Sequence, residues 1–442
     1  MRYLFGFLIL AVLSVSAFFV LSPEKTFEMN NPAANGNELN LPDIPEAKLP
    51  AGLSTPPIKK ISDIEPQKPL ANPAEEIKAV YFTGWSAGSS KKIDYLINLA
   101  KETEINAVVI DIKDYSGYVA YDIKLAEVEK YKAKEIKISR LNALIKKLHD
   151  ENIYVIARIT VFQDPILAKA RPDLAIHSKT KCQMSDISVE NGKCQMSSST
   201  LWLDHKKLAW IDPAAEEAWD YNIAIAKDAA NRGFDELNFD YIRFASDGDL
   251  NDMIFPFWDG KTKKSETIKS FFKKLREELE SVKISADLFG LSTINKDDLG
   301  IGQIIEDAYE YFDYVSPMVY PSHYASGFLG YKNPAQYPYE VIKYSMDSAF
   351  QRLKNYKSRT MNNATTTNVL DSRFQIPNSK LRPWLQDFNL GAKYTAETVE
   401  KQIQAVYDAA SSTPELINGY MLWDPANTYN VPTSTSTILR AN

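Results

Sequence analysis

The segment 233–244 places acidic and amide side chains at every second position, Glu236, Asn238 and Asp240, between apolar residues such as Leu237 and Phe239. This alternation predicts a β-strand with one apolar face and one polar face. A polar row on a buried strand is typical of the inside of a closed parallel barrel, where it reaches the catalytic mouth at the carboxyl end. Asp240, at that end of the row, is therefore the first candidate for a catalytic carboxylate.

Further polar and aromatic side chains occur where the other predicted strands end. They are Asp111, Lys113, Asp114, Arg158, Arg243, Asp287, Tyr320, His323, Gln386, Asp387, Trp423 and Asp424. In a barrel these positions meet at one rim, so carboxylates, cations and aromatic rings would converge there. Two carboxylates, one protonated acid and one nucleophile or base, with rings that stack on sugars, are what glycoside hydrolysis requires.

Within this set we expect Asp240 to act as nucleophile or base and Asp287 as general acid, with Asp111 in reserve. Asp287 lies in an apolar sequence, and burial there would raise the pKa of its carboxyl. The predicted substrate-binding side chains are Lys113, Arg158, Asn238, Arg243, Tyr320, His323, Trp423 and Asp424. Structural alternatives stay open: Asp240 could pair with Arg158 or Arg243, and Asp287 could be structural. Trp85, Tyr320, Tyr324 and Trp423 could be sugar platforms or ordinary core residues.

The chain between residues 77 and 424 alternates short apolar runs with amphipathic helical patterns. The predicted strands are Ile77–Thr83, Ala107–Ile112, Ile153–Thr160, Phe234–Asp240, Lys283–Phe289, Tyr314–Tyr320, Leu381–Phe388 and Gly419–Trp423. Eight strand–helix units over about 350 residues predict an α/β fold, the (β/α)8 TIM barrel, with an insertion from about Gln163 to Trp210 between strands three and four. An open doubly wound sheet is the alternative, but no glycine-rich phosphate loop follows any strand. Ser139 is predicted to cap the helix that follows it.

The 442-residue chain has 51 basic and 57 acidic side chains, a formal net charge of −6, which argues against a nucleic-acid partner. Residues 1–21 contain an unbroken apolar run, which predicts a signal peptide or an uncleaved membrane anchor. Residues 22–75 are rich in proline and predict a disordered linker; 76–430 form the predicted barrel and 431–442 a flexible tail. We therefore expect the barrel outside the cell, held at the cell membrane or secreted if the first segment is cleaved.

The two cysteines, Cys182 and Cys194, lie in the polar insertion. In an exported protein they are expected to form a disulfide that closes a small loop, and two free thiols are the alternative. No histidine pair with ligand spacing stands nearby, so no metal site and no cofactor are predicted. The scarcity of histidine also argues against metal-dependent deacetylation.

Two other functions compete with hydrolysis of glycosides. The string Gly84-x-Ser86-x-Gly88 between a strand and a helix has the sequence context of a serine nucleophile elbow. It follows the first strand, whereas such an elbow normally follows several, and a tight glycine turn is the structural alternative. A carbohydrate-binding barrel without catalysis would share the fold and the aromatic rim, but it would not need two facing aspartates.

Motifs in a fixed order carry a resemblance to a known family. They occupy residues 80–86, 109–114 with 117–119, 210–213, 233–244, 313–321, 382–388 and 419–424. The chain resembles the bacterial putative glycosyl hydrolase domain family over essentially all of 77–424. The resemblance implies a glycoside-hydrolase-like TIM barrel in which the aspartate ending strand four is catalytic, here Asp240. Ala245 departs from the family, whose members tend to have proline there, and the second carboxylate does not come with the resemblance. The expected substrate is a cell-envelope or extracellular polysaccharide or oligosaccharide.

Overall fold

The structure, a computed structural model, describes residues 62–184, 196–367 and 378–432. The predicted signal or anchor segment 1–21 and Cys194 of the predicted disulfide lie outside these ranges, and so does the tail after residue 432. These predictions stay predictions. Within the described ranges, no helix combines the length and the apolar character needed to cross a bilayer.

Eight parallel strands form the centre of the fold. In chain order they are Ile77–Phe82, Ala107–Lys113, Tyr154–Thr160, Glu236–Asp240, Lys283–Phe289, Tyr314–Met318, Trp384–Gln386 and Gly419–Trp423. Each strand pairs with its neighbours, and the first pairs with both the second and the eighth, which closes the ring. The predicted (β/α)8 barrel is confirmed. The seventh strand is interrupted at Arg382 and Pro383, and the short piece Lys380–Leu381 before them also pairs with the sixth strand.

Helices surround the ring, and the longer ones bury an apolar face. The α-helices are Gly84–Ala87, Ser90–Glu102, Ala126–Lys130, Leu141–His149, Pro165–Ala170, Lys179–Met184, Glu216–Arg232, Lys264–Glu278, Ile305–Tyr311, Pro338–Thr367 and Ala396–Ala410. In Ser90–Glu102, for example, the buried residues are Ile93, Leu96 and Ile97, a spacing of three and four that keeps them on one face. The predicted amphipathic helices are thus explained by the core that they cover.

The predicted insertion between strands three and four is present and has its own structure. Its two-residue strand His177–Ser178 pairs antiparallel with Met253–Ile254, which follows strand four. A second addition, Val119–Tyr121 and Lys134–Ile138, follows strand two and was not predicted. Both additions extend loops at the carboxyl ends of strands, where a barrel places its functional residues.

The described end of the proline-rich linker, residues 62–75, packs along the outside of the barrel. The Asp63 carboxylate accepts hydrogen bonds from the backbone N–H of Asn142 and Ala143, at 2.8 and 3.1 Å. It thereby caps the helix Leu141–His149, and the prediction that Ser139 caps this helix is wrong. Further along, the N–H of Gln67 donates to the Arg232 carbonyl at 3.1 Å.

The polar row of strand four points into the barrel, as its alternation predicts. Glu236 forms an ion pair with Arg382, and both side chains are fully buried. One step further along, Asn238 Nδ2 donates to Ser285 Oγ at 3.0 Å and to Asp287 Oδ1 at 2.8 Å. The third member, Asp240, lies at the mouth. The inside of the barrel is thus a hydrogen-bonded stack, which fixes the position of the residues above it.

Candidate active site

A single guanidinium, that of Arg158 on strand three, joins three carboxylates from three other strands. Its Nη1 contacts Asp111 Oδ1 at 2.5 Å, its Nη2 contacts Asp240 Oδ2, and its Nε lies 3.6 Å from Asp287 Oδ2. Strand register produces this meeting, because Asp111 pairs with Arg158 across strands two and three, and Arg158 pairs with Asn238 across strands three and four. The predicted convergence of Asp111, Asp240 and Asp287 is therefore seen in the geometry.

Asp240 is held by its own backbone as well as by Arg158. Its Oδ1 accepts a hydrogen bond from the N–H of Tyr241 at 2.6 Å. Tyr241 has a φ of +53°, the left-handed region that a bulky residue rarely adopts. The carbonyls of Asp240 and Tyr241 accept hydrogen bonds from the two residues that follow strand three. Val161 N–H donates to Asp240 O, and Phe162 N–H donates to Tyr241 O. Strain of this kind persists where surrounding structure enforces it, and here it fixes the carboxylate at the strand end.

Asp287 is the most deeply buried of the three acids, at 1% exposed. Its Oδ1 accepts hydrogen bonds from Asn238 Nδ2 and from the Trp384 indole N–H at 2.7 Å. Burial, followed by the negative charge of Asp240, raises the pKa of Asp287 to about 8, although Arg158 acts in the opposite direction. At neutral pH this carboxyl therefore carries a proton, the state that a general acid requires.

Asp111 supports the guanidinium from the other side. Its Oδ2 accepts a hydrogen bond from the hydroxyl of Tyr81 on strand one, and its Oδ1 accepts one from the Arg158 guanidinium. Burial raises the pKa of Asp111 and that of Tyr81 as well. Because Asp111 lies between the Tyr81 hydroxyl and the Arg158 guanidinium, its position suits a residue that orients Arg158.

Aromatic side chains from strands six to eight line the neighbouring part of the mouth. The ring of Tyr320 lies 5.9 Å from Trp423, 5.7 Å from Phe388 and 5.1 Å from His323, measured between centroids. Burial, then the charges of Asp287 and Asp240, raise the pKa of Tyr320, so its phenol lies close to both acids. The His323 residue retains exposed surface, while burial of its imidazole against Tyr320 and Phe388 lowers its pKa to about 4. The predicted residues Tyr320, His323 and Trp423 are thus brought together beside the carboxylates.

Three predicted binding residues have other surroundings. Lys113 is fully buried, and its Nζ contacts Asp164 at 2.8 Å and the Thr160 carbonyl at 2.6 Å, so it does not join the Arg158 cluster. The Arg243 guanidinium lies over the rings of Trp210, Tyr241 and Phe289, at 4.9, 5.2 and 4.6 Å from their centroids. Asp424 accepts from the N–H of Ala426 at 2.6 Å and closes a turn.

Two residues of the cluster were missed by sequence reasoning, Tyr81 and Trp384. Tyr81 lies on the first strand, where an inward aromatic residue resembles ordinary core. Trp384 lies within the family motif 382–388, where its sequence does not reveal that its indole N–H is one of two donors to Asp287. Asp387 has a pKa raised to about 7 by burial, but it bonds the N–H and the amide of Asn430 in the C-terminal segment.

The glycines around Ser86 serve close packing. A Cβ on Gly84 would lie 3.1 Å from the Asp111 carbonyl, and one on Gly88 would lie 2.0 Å from the Lys137 carbonyl. None of the four histidines contacts Ser86 in the described part of the chain. His149 bonds Asp235, His177 bonds Thr200 and Pro172, His205 bonds Asp247 through its backbone, and His323 packs on Tyr320. This turn has the geometry of the structural alternative and lacks the base of a serine hydrolase.

The described part of the chain also bears on the metal and cysteine predictions. No group of three or more His, Cys, Asp or Glu within the described ranges could hold a metal ion. Cys182 is buried in the helix Lys179–Met184, and its predicted partner lies outside those ranges, so the pairing stays a prediction.

The barrel with carboxylates and aromatic rings at its mouth defines a protein of the glycoside-hydrolase-like TIM-barrel class. The chain belongs to the family described as "Putative glycosyl hydrolase domain", which it matches over residues 79–429. The resemblance drawn from the sequence is confirmed.

Solved structures to which the chain is similar include a hypothetical protein from Ruminiclostridium thermocellum, with 36% identity over 50% of this chain and 98% of that one, and a TM-score of 0.40. The glycoside hydrolase domain of PgaB (BpsB) from Bordetella bronchiseptica is 13% identical over 80% of this chain and 95% of that one, with a TM-score of 0.48. The active domain 2 of a chitinase from Pyrococcus furiosus is 14% identical over 80% and 85%, with a TM-score of 0.40. No curated protein is significantly similar to the chain.

Proposed function

We propose that the protein is a glycoside hydrolase that cleaves a cell-envelope or extracellular polysaccharide with two carboxylates and no cofactor. The observation that carries this proposal is the pair Asp240 and Asp287. Asp240 accepts hydrogen bonds from Arg158 and from the Tyr241 N–H, whereas the pKa of Asp287 is raised to about 8 by burial and by the charge of Asp240. A carboxylate held by a guanidinium beside a buried carboxyl whose pKa is raised is the arrangement of a nucleophile or base and a general acid.

In this mechanism Asp287 donates its proton to the glycosidic oxygen as the bond to the anomeric carbon breaks. Asp240 either takes a proton from the water that attacks the anomeric carbon, or attacks that carbon itself to form an ester. In the second case water cleaves the ester and gives its proton to Asp287, so both carboxyls return to their starting states. Arg158 keeps Asp240 in place and is itself oriented by Asp111. Tyr320 and Trp423 would contact the sugar ring beside the bond that is cleaved.

A carbohydrate-binding barrel without catalysis is the second candidate, and a specific observation favours it. Arg158 already compensates the charges of Asp111 and Asp240, and the three acids are 3%, 6% and 1% exposed. Buried, paired carboxylates are also found as purely structural groups. The two candidates differ in whether removing one acid abolishes bond cleavage or only changes stability.

The test is a panel of soluble polysaccharides incubated with the wild type, Asp240→Asn and Asp287→Asn, with release of reducing ends as the measurement. Asp235→Asn is a matched control, because Asp235 is a buried aspartate before the same strand that bonds Leu70, Val155 and His149 instead. We expect cleavage by the wild type and the control, and a loss of at least about a hundredfold in the two active-site variants. Equal cleavage by Asp240→Asn would overturn the role of Asp240. Binding without cleavage by the wild type would favour the second candidate.

The cellular setting belongs to the same proposal. We place the barrel outside the cell, attached to the membrane by residues 1–21 or secreted after their removal, and Cys182 in a disulfide with Cys194. Fractionation of the full chain tests the first part, because an anchored protein sediments with membranes and a cleaved one does not. Intact mass after alkylation without reduction tests the second, since a disulfide leaves both sulfurs unmodified.

A further inference from the structure

Trp85 is a large aromatic residue left open to solvent, at 62% exposed. It lies in the four-residue helix Gly84–Ala87, directly after the first barrel strand and therefore at the mouth. Tryptophan is rarely so accessible, because burying its ring contributes strongly to stability. A fold that leaves this ring uncovered beside a candidate active site offers it to a ligand.

The turn that carries Trp85 is fixed close to the carboxylates. Thr83 Oγ1 accepts from the Ser86 N–H at 3.1 Å, and the Thr83 N–H donates to Asn427 Oδ1 at 3.0 Å. Gly84 approaches strand two so closely that a Cβ would lie 3.1 Å from the Asp111 carbonyl oxygen. The backbone before Trp85 therefore touches the residue that orients Arg158. The exposed ring is positioned by the site and does not belong to a remote surface.

A lysine lies against one side of the indole. Lys137 Nζ is 5.7 Å from the Trp85 ring centroid, and the lysine side chain is only 4% exposed. Ion pairs with Asp114 at 2.7 Å and Glu135 at 3.1 Å hold the ammonium in place. Because the cation lies over one face of the ring, the exposed area belongs to the other face and the edge. A ring held in this way is a preorganised flat platform.

A second exposed ring follows the acidic partner of this ion pair in the chain. Tyr115 is 44% exposed and follows Asp114 at the end of strand two. Partial burial and the charges of Asp114 and Asp111 raise its pKa, while Lys137 lowers it, so its phenol lies near these groups. The end of strand two therefore adds a second aromatic surface beside the first.

We propose that Trp85 and Tyr115 form a binding subsite for a sugar unit at a distance from the cleaved bond. The axial C–H face of a pyranose would lie on the open face of Trp85, and Asp114, with its 16% exposed side chain, would accept from a sugar hydroxyl. Asp114 and Glu135 outnumber Lys137, which disfavours anionic sugars, and we assign the subsite to hexose or N-acetylhexosamine units of a polymer. This subsite rests on the proposed function and extends it, because it makes the substrate a chain of several sugars.

The experiment measures binding separately from cleavage. Calorimetric titration of Asp240→Asn, alone and combined with Trp85→Ala, uses cello-oligosaccharides and chito-oligosaccharides of two to six units as probes. Tyr344→Ala is the matched control, because Tyr344 is 49% exposed on the helix Pro338–Thr367, away from strands one and two. We expect Trp85→Ala to weaken binding of the longest probe by about tenfold or more and to leave the disaccharide unaffected. The control should bind every probe like its parent.

Each outcome decides one of the two proposals. If Trp85→Ala binds like the control, or weakens short and long probes equally, the subsite is wrong while the hydrolase proposal stands on its cleavage assay. If long probes bind through Trp85 and the wild type cleaves none of them, the subsite stands and the hydrolase proposal fails. Binding of no probe by Asp240→Asn overturns the subsite for both sugar classes. Thermal unfolding of Trp85→Ala, expected to be unchanged because the ring is exposed, separates misfolding from lost contact.

Discussion

Replacing Asp287 with asparagine removes the proposed proton donor and keeps a side chain of the same shape between Asn238 and Trp384. In the wild type, burial and the charge of Asp240 raise the pKa of Asp287 to about 8, so the carboxyl keeps its proton to that pH. We expect kcat/KM of the wild type to fall as the pH rises through about 8, because the ionised group cannot donate. The asparagine variant should lack this limb of the profile, since an amide does not titrate.

The size of the loss follows from the role of a general acid. Such a group contributes about 10²- to 10⁴-fold to the rate, so Asp287→Asn should lose that factor on a natural glycan at neutral pH. The loss should be much smaller for an aryl glycoside whose phenolate departs without protonation. Removing the neighbouring charge in Asp240→Asn should lower the pKa of Asp287, because that charge is the second largest cause of the upward shift.

The proton on Asp287 should also make the free energy of unfolding depend on pH. The folded state keeps a proton on Asp287 that the unfolded state releases above the ordinary pKa of an aspartate, so the folded state binds more protons in that window. The free energy of unfolding should therefore decrease as the pH rises toward about 8, with a slope from this group of about 1.4 kcal/mol per pH unit. Denaturant unfolding at pH 5, 6, 7 and 8 should give a flatter profile for Asp287→Asn.

The assay compares the pH profiles of wild type and variant on a polysaccharide and on an aryl glycoside. An alkaline limb that persists unchanged in Asp287→Asn would show that another group titrates. Equal losses on the two substrates would show that the residue does not protonate the leaving group. Either result would refute the assignment of the acid, and the unfolding profile would tell whether the pKa itself is wrong.

Three further outcomes follow from the structure. Arg158→Met leaves the buried carboxylates of Asp111 and Asp240 without their cation and should lower the free energy of unfolding by about 3–5 kcal/mol in denaturant unfolding. Arg171→Met, at a more exposed pair, should cost at most about 1 kcal/mol, and equal costs would contradict the central role of Arg158. Asp63→Ala should lower the free energy of unfolding by about 1 kcal/mol because it removes a helix cap, while Ser139→Ala should change it little. A larger loss in Ser139→Ala than in Asp63→Ala would mean that the linker contact is absent. Ser86→Ala should cleave glycans like the wild type, and a large loss of rate would revive the serine-hydrolase alternative.

Much of the fold follows from the sequence because its signals are local. Eight apolar runs separated by amphipathic helices define a barrel, and the alternation of Glu236, Asn238 and Asp240 shows which residues face its interior. The register between neighbouring strands is specified as well, because a shift by one residue would expose the side chains that each strand buries.

The parts that could not be predicted depend on contacts between distant segments. Asp63 caps a helix that begins at Leu141, 78 residues later along the chain, and the sequence next to that helix offers only Ser139. Lys113 looks like a rim cation until Asp164, in the insertion, takes it as a buried partner. Trp384 looks like core until its indole N–H is seen to donate to Asp287. In each case the partner is far away in the sequence and becomes a neighbour only when the chain has folded.

The cluster around Arg158 contains more negative than positive charges, and this imbalance affects which molecules it would bind. With Asp287 protonated, one guanidinium stands against the carboxylates of Asp111 and Asp240, which leaves a deficit of positive charge at the mouth. A glycosyl cation developing there would fill that deficit, whereas a neutral ground-state sugar would not. Iminosugars, whose protonated nitrogen mimics such a cation, should accordingly be preferred over uncharged sugars of the same shape, and uronic acids should be disfavoured at this position.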